Sequence, residues 1–311
     1  LFDPKEFLSR CPTALQGLVT ADHPLSQLTT LKVGGPAGVV CRIGTIDQAR
    51  RFQDICHDIA APCYILGAGS NVLAPDGGYP GVILRIATED FALKGDTITA
   101  GAGWDFDRLI ARCLDQKLTG LEFASGIPGT LGGALVGNAG CYGHEIGEFL
   151  EEAVILRQDG TLDTVGPDAF GFAYRTTNLR ETGDFLLAAT LRLQRGNLEQ
   201  ARAQRQEKLQ DRLTKHPVNI PSAGSWFRNL PAETPGGRRR AAGQLLELAG
   251  AKDMSEGDAR VFSRHANMII NAGQASSAQI RTLANRMAQA VADKFNVQLI
   301  EEVRELRPPA P

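Results

Sequence analysis

The chain lacks most of the marks of a membrane-bound, secreted or nucleic-acid-binding protein. Its 33 basic residues are balanced by 35 acidic ones, so no net field draws it toward nucleic acid or an anionic lipid surface. No apolar run nears the roughly 20 residues of a membrane span. The opening LFDPKEFLSRCP has no charged segment followed by an apolar one. No secretory leader is therefore expected, and the cytoplasm is the expected compartment. The six cysteines, Cys11, Cys41, Cys56, Cys63, Cys113 and Cys141, show no CxxC pair and no zinc-like spacing. That argues against a metal site or a disulfide framework and for reduced, packed thiols. There is no internal repeat and no low-complexity segment.

What the chain does have is glycine, concentrated in one stretch. Between Gly120 and Gly147, nine of twenty-eight residues are glycine, too many for a segment that buries side chains. Such a stretch is expected to let the backbone approach something bulky or adopt positive φ. Around it the pattern reads as three contiguous units, 1–75, 76–196 and 197–311.

The first unit is β-α-β. A strand at Val39–Ile43 precedes a helix with Asp47 as N-cap and Ala49, Phe52, Ile55, Cys56 and Ile59 on its inner face; a strand at Cys63–Leu66 follows. The second unit is dominated by strands, Val82–Ile86, Thr97–Ala100 and Phe185–Leu193. A hairpin there is signalled by Gln158-Asp159-Gly160, a helix runs from about Trp104 to Gln116, and Pro128 is placed in a helical first turn. It reads as α+β with a mostly antiparallel sheet. In the third, Asn197–Lys215 and Ser277–Phe295 are helical, Ala241–Ala249 is a helix ended by Gly250, and strands are expected at Met268–Asn271 and Val297–Val303. Gly236-Gly237-Arg238-Arg239-Arg240 is the one basic cluster and reads as a solvated loop.

The strand Cys63–Leu66 runs into Gly67-Ala68-Gly69-Ser70-Asn71. This is not a dinucleotide fingerprint, because Val72 replaces the third glycine and Pro75-Asp76-Gly77-Gly78 forbids the helix that must follow. An anion nest and a plain turn both remain open.

Taken together, TTLKVGGPA, GAGSNVL, GIPGTLGGALVGNAGCYG, Tyr174-Arg175, PSAGSWFRN, SRHANMIIN and EEVRE stand in the order of one family. The chain resembles the UDP-N-acetylenolpyruvoylglucosamine reductases, the MurB flavoenzymes of peptidoglycan precursor synthesis, from Leu28 to Glu305. The resemblance implies an α+β fold: a two-part FAD-binding domain of the vanillyl-alcohol-oxidase type, with a C-terminal α/β substrate domain. It implies NADPH-dependent reduction of a UDP-sugar enolpyruvyl ether through FAD, with neither nucleic acid nor membrane as partner. The 49 residues between Arg175 and Ser225 look like the shorter of two family subtypes.

By the same resemblance, FAD contacts fall to Gly67, Ala68, Gly69, Ser70, Asn71, Gly126, Pro128, Gly129, Thr130, Gly132, Asn138 and Gly140. Arg175, Ser225 and Glu302 match the catalytic positions, and Tyr174, Arg175 and Asn229 the substrate contacts. The residue types suit the chemistry. Hydride addition to an enolpyruvyl ether builds negative charge toward the carboxylate, which a guanidinium stabilises. A hydroxyl suffices to protonate a carbanion-like centre. The chain departs from the family pattern at Thr176-Thr177, at Phe227-Arg228-Asn229-Leu230-Pro231 and at Asp253. Two other readings compete: a flavin oxidase of the same fold acting on an alcohol or sugar, and a catalytically silent flavin- or nucleotide-binding regulator.

Overall fold

The computed structural model describes residues 2–234, 237 and 239–307. Helices α1 (Pro4–Arg10) and α2 (Thr13–Gln16) open the chain, followed by strand β1 (Val19–Pro24). β2 (Pro36–Ile43), α3 (Ile46–Asp58) and β3 (Cys63–Leu66) supply the expected β-α-β pattern. β4 (Val72–Leu73), β5 (Tyr79–Ile86), β6 (Phe91–Lys94) and β7 (Thr97–Gly101) lead to α4 (Phe106–Asp115). The glycine-dense stretch holds α5 (Leu131–Val136) and the short strands β8 (Gly140–Cys141) and β9 (His144–Glu145). β10 (Leu150–Leu156), β11 (Leu162–Val165), α6 (Leu179–Thr182) and β12 (Phe185–Arg192) precede the long α7 (Leu198–Lys215). The remainder is β13 (Ser222–Ser225), α8 (Ala242–Leu248), β14 (Ser255–Glu256), β15 (Ala259–Phe262), β16 (His265–Asn271), α9 (Ser277–Phe295) and β17 (Arg304–Glu305).

Contacts divide the chain into two compact units that interleave in sequence. The first comprises 1–23, 37–68 and 80–211, the second 24–36, 69–79 and 212–311. The sequence reading drew three contiguous pieces instead. Each unit has its own apolar core, as expected for segments of this size.

In the first unit one sheet has the order β1-β2-β5-β3, with β3 and β5 parallel. The other is antiparallel throughout, β11-β10-β12-β7-β6. The Gln158-Asp159-Gly160 signal is the β10–β11 turn, with Gly160 at φ +83°. Helix starts follow local hydrogen bonding. Thr45, not Asp47, caps α3, because its hydroxyl accepts from the Gln48 amide. Asp105 does the same for α4 and Thr130 for α5. Pro128 thus precedes the α5 cap and is not in its first turn.

In the second unit α8 and α9 pack on the antiparallel sheet β13-β16-β15-β14. Ser276 and Gln279 form a reciprocal capping box at the start of α9, which fixes that end where sequence spacing put it. Ile280, Leu283, Met287 and Val291 are buried on its inner face, with Phe295 only half-buried. The strand expected at Val297–Val303 does not form. That segment changes partners: Arg228 N donates to Ile300 O, Phe227 bridges Glu301, and Glu302 N donates to Trp226 O. Only Arg304–Glu305 then pairs as a strand, in parallel with β4. Of the basic run 236–240, Gly236 and Arg238 lie outside the described residues.

Candidate functional site

The loop from Gly67 to Asn71 ends β3 without entering a helix. Among the described residues, the backbone N–H groups of Ala68, Gly69, Ser70 and Asn71 donate to no protein acceptor. Buried or half-buried amides left unpaired in succession are rare, and four in a row offer an anion a cradle. This meets the donor requirement of a flavin diphosphate, so the loop fits FAD.

Gly69 is obligatory for a reason internal to the protein. Its φ is +64°, and a Cβ there would lie 2.2 Å from the Leu28 carbonyl. Gly67 faces Thr130, whose hydroxyl would be 2.7 Å from an added Cβ.

The glycine-dense stretch is largely self-satisfied. Gly126 N donates to the Asp107 carboxylate at 2.7 Å, and Asp107 is held in turn by Arg205 through two bonds of 2.5 and 2.7 Å. At the start of α5, Leu131 N and Gly132 N donate to Trp104 O and Ala102 O, and Gly133 N to the Thr130 hydroxyl. Only the amides of Gly129 and Thr130 stay open there among the described residues. Pro128 has no N–H to give.

Asn138 is buried at φ +45°. Its Nδ2 donates to Glu145 Oε2 (2.5 Å) and Ala173 O (3.1 Å), and its Oδ1 accepts from Gly147 N (3.2 Å). Its side chain is therefore committed to bracing the β8–β9 hairpin. Tyr142 and Gly143 turn that hairpin with φ of +54° and +90°, the left-handed pair that such a two-residue turn requires. The Tyr142 hydroxyl donates to Asp211 at 2.7 Å.

Arg175 lies in the same unit, in a tight turn closed by reciprocal Ala173–Thr176 backbone bonds of 3.1 Å. Its φ is +59°, a conformation that disfavours any side chain and clusters at functional sites. Nη2 donates to Gly140 O at 2.6 Å, and the guanidinium lies 5.4 Å from the Tyr174 ring centroid. The hydroxyl after it that the family pattern calls for, Thr177, is buried and donates to Val136 O at 2.8 Å.

Ser225 and Glu302 belong to the second unit, where Trp226 joins them. Trp226 is fully buried, its amide donates to Asn267 O (2.7 Å) and its carbonyl accepts from Glu302 N (2.8 Å). Between Ser222 and Ser225 the register against β16 slips by one residue at Gly224, φ +77°. Bulges of this kind re-aim side chains beside functional sites. The turn hydroxyl is Ser222, which donates to Ile269 O (2.8 Å) and accepts from Gly224 N (3.2 Å). The Ser225 hydroxyl makes no hydrogen bond among the described residues.

The two adjacent acids divide their work. Glu301 is held by Arg281 (2.5 and 2.7 Å) and Trp226 Nε1 (3.2 Å). Glu302 has its backbone pinned, with its carbonyl accepting from Asn71 Nδ2 at 3.1 Å. One asparagine thus links the amide-rich loop to the backbone of Glu302. Asn229, exposed, accepts from Ala242 N at 3.2 Å and so caps α8.

Sequence reasoning missed Asn267. Buried, it brackets Phe227 with bonds of 2.9 and 2.8 Å to the backbone N–H and C=O, and so sets the strand that carries Ser225. Its place inside SRHANMIIN was the available signal.

The chain is similar to known proteins along most of its length. Residues 216–306 match the model of the UDP-N-acetylenolpyruvoylglucosamine reductase C-terminal domain, and 37–166 match an FAD binding domain. The chain is 34% identical to a UDP-N-acetylenolpyruvoylglucosamine reductase of Symbiobacterium thermophilum, over 93% of this chain and 92% of that one. It is equally 34% identical to the enzyme of that name from Bacillus subtilis, covering 92% and 93%. The crystal structure of the reductase from Thermus caldophilus superposes with a TM-score of 0.77 at 30% identity, covering 93% of this chain and 98% of that one. Among the described residues no helix is long and apolar enough to cross a membrane.

Proposed function

The chain belongs to the UDP-N-acetylenolpyruvoylglucosamine reductase family, and from that premise we propose that Arg175, Ser225 and Glu302 carry its chemistry. The protein is an FAD-dependent oxidoreductase that reduces UDP-N-acetylglucosamine enolpyruvate to UDP-N-acetylmuramate, with NADPH as the reductant and the cytoplasm as the site of action. When bound, FAD supplies the hydride that enters the terminal alkene carbon.

The residues of the chain handle the charge and the proton that this addition creates. Negative charge grows on the α-carbon and spreads into the substrate carboxylate. Arg175 offers that carboxylate a planar, permanently charged donor pair. Ser225 donates its hydroxyl proton to the α-carbon; a weak acid serves because the acceptor is strongly basic. Glu302 hydrogen bonds to the developing enolate and so helps to localise its charge. Tyr174 and Asn229 supply flanking substrate contacts. The unpaired amides of Ala68 to Asn71, with those of Gly129 and Thr130, would hold the diphosphate of FAD. Gly67, Gly126, Pro128, Gly132 and Gly140 shape the backbone around it, and Asn138 braces it from behind.

The observation that carries this reading is the Ser225 hydroxyl. It is half-buried on a bulged strand and bonded to nothing described, while its neighbour Ser222 performs the turn. Ser225→Ala is therefore expected to leave reduction of FAD by NADPH intact. Reoxidation by the enolpyruvyl substrate should slow by about 10²- to 10⁴-fold, the range for lost general acid catalysis. Stopped-flow absorbance of the flavin separates the two half-reactions. Reoxidation at the wild-type rate would remove Ser225 from the mechanism.

A further inference from the structure

Helix α7 has almost no apolar face: among the described residues, only Ala201 of its 18 is buried. As far as Asp211 it belongs to the first unit, and there a polar stripe at intervals of three fastens it. Arg202 reaches Asp115 at 3.4 Å, Arg205 reaches Asp107, Lys208 lies 4.3 Å from the Tyr142 ring centroid, and Asp211 accepts from the Tyr142 hydroxyl at 2.7 Å. These contacts are unequal. The Arg202 and Asp115 side chains are more than half exposed, and such pairs contribute little. Arg205 is 17% exposed and grips both oxygens of Asp107, at 2.5 and 2.7 Å, the two-pronged geometry of the strong pairs.

Asp107 has a second duty. It stands in the first turn of α4, and its Oδ1 accepts from Gly126 N at 2.7 Å. Gly126 has φ +74°. The same turn of α4 takes hold of the loop again three residues later, where Phe106 N donates to Gly129 O at 3.0 Å. Segment 126–129 is thus bound at both ends to one helix start. The open amides of Gly129 and Thr130 stand at the far end of that segment.

We propose that Asp107 is a positioning residue for the FAD cradle, setting the backbone from Gly126 to Thr130, with Arg205 as its counter-charge; this role rests on the reading above of the Gly129 and Thr130 amides as diphosphate ligands. Two demands oppose each other here. A carboxylate is a stronger acceptor for Gly126 N than a neutral group, so it fixes the loop more firmly. The same negative charge, bonded three residues before Gly129, repels the phosphates of FAD. Arg205 removes the conflict. Its guanidinium cancels the charge while Oδ1, with two lone pairs, accepts from both Gly126 N and Arg205 Nη1. An ion pair that only docked α7 on α4 would respond alike to loss of its acid and loss of its base.

The test starts from the full-length, FAD-loaded protein and reads the FAD dissociation constant on serial dilution, from the flavin fluorescence that appears on release. Asp107→Ala should weaken FAD binding about 10- to 100-fold, as for one lost hydrogen bond to a charged group. Arg205→Met leaves the carboxylate bare and should weaken binding roughly tenfold at low ionic strength, a loss that shrinks as salt is added. Adding Asp107→Asn to Arg205→Met keeps an oxygen for Gly126 without the charge. FAD affinity should then return toward the parent although the ion pair is still broken. Affinity in that double variant no better than in Arg205→Met would overturn the proposal, since the pair would then be a docking contact only. Parent-like affinity in Asp107→Ala would do the same; should that variant not fold, Arg205→Met and the double variant decide alone. Gly129→Ala tests the underlying reading separately. Its φ of +142° disfavours any side chain, so FAD binding should weaken there too. Parent affinity in Gly129→Ala removes these amides from the cradle, whereas a loss there with none in Asp107→Ala rejects the positioning role alone.

Discussion

At the scale of single residues, the site is defined as much by conformation as by chemistry. Arg175 at φ +59° holds a geometry that costs an L-residue about 1–2 kcal/mol relative to the right-handed region. The guanidinium is kept there at the expense of stability. Arg175→Gly should therefore leave thermal or urea stability within about 1 kcal/mol of the parent while turnover collapses. A large loss of stability would mean that the arginine serves the fold.

Asn267 is the opposite case, a residue whose chemistry is structural. Asn267→Ala leaves the Phe227 N–H and C=O unpaired in the core and should cost about 2–4 kcal/mol, read from urea unfolding. The sequence made Ser225 legible only through family resemblance. Its composition could not tell Ser222 from Ser225, because which hydroxyl closes the turn depends on the bulge at Gly224.

At the scale of elements, legibility followed the range of the forces involved. α9 was bounded correctly because its capping box and its apolar face are local. The β10–β11 hairpin was legible for the same reason. The last strand was not, since residues 300–305 take partners first near Trp226 and then on β4, a choice made by the tertiary fold. The N-cap of α3 is Thr45, two residues before the expected Asp47, because its hydroxyl accepts from the Gln48 amide.

Strand β16 carries a pH dependence. Burial holds the His265 imidazole below its ordinary 6.5, and its Nδ1 accepts from Asn267 N at 3.3 Å. As pH falls through about 6.5 the unfolded chain takes up a proton that the folded chain resists. This contribution is whole above that value, declines below it, and levels off once pH passes the lower folded pKa. The urea midpoint should drop between pH 7.5 and 5.5, and His265→Gln should flatten that drop. An unchanged slope in the variant would assign the dependence to other groups.

At the scale of the whole molecule, the second unit is assembled from three separated segments, 24–36, 69–79 and 212–311. Thr30 shows how tightly they join: its amide donates to Gly69 O, its hydroxyl to Ser222 O at 2.6 Å, and its carbonyl accepts from Ser222 N. Asp76 caps α9 through Ser277 N and Ala278 N at 2.7 and 3.0 Å. Residues 212–311 expressed alone, although they contain the whole matched C-terminal domain, should give a weakly dispersed NMR spectrum and no cooperative melt. A sharp, cooperative transition would show that the short segments are dispensable.

The pairing of β17 with β4 has a consequence for synthesis on the ribosome. The strand that follows the amide-rich loop emerges some 231 residues before its partner, counting from Leu73 to Arg304. At about 5–20 residues per second that gap lasts roughly 10–45 s. Throughout it Val72 and Leu73, both buried in the finished protein, have no strand beside them, and Asn71 has no carbonyl to hold. The nascent chain thus cannot build a finished cofactor loop, however long it waits, until Arg304 and Glu305 have been translated.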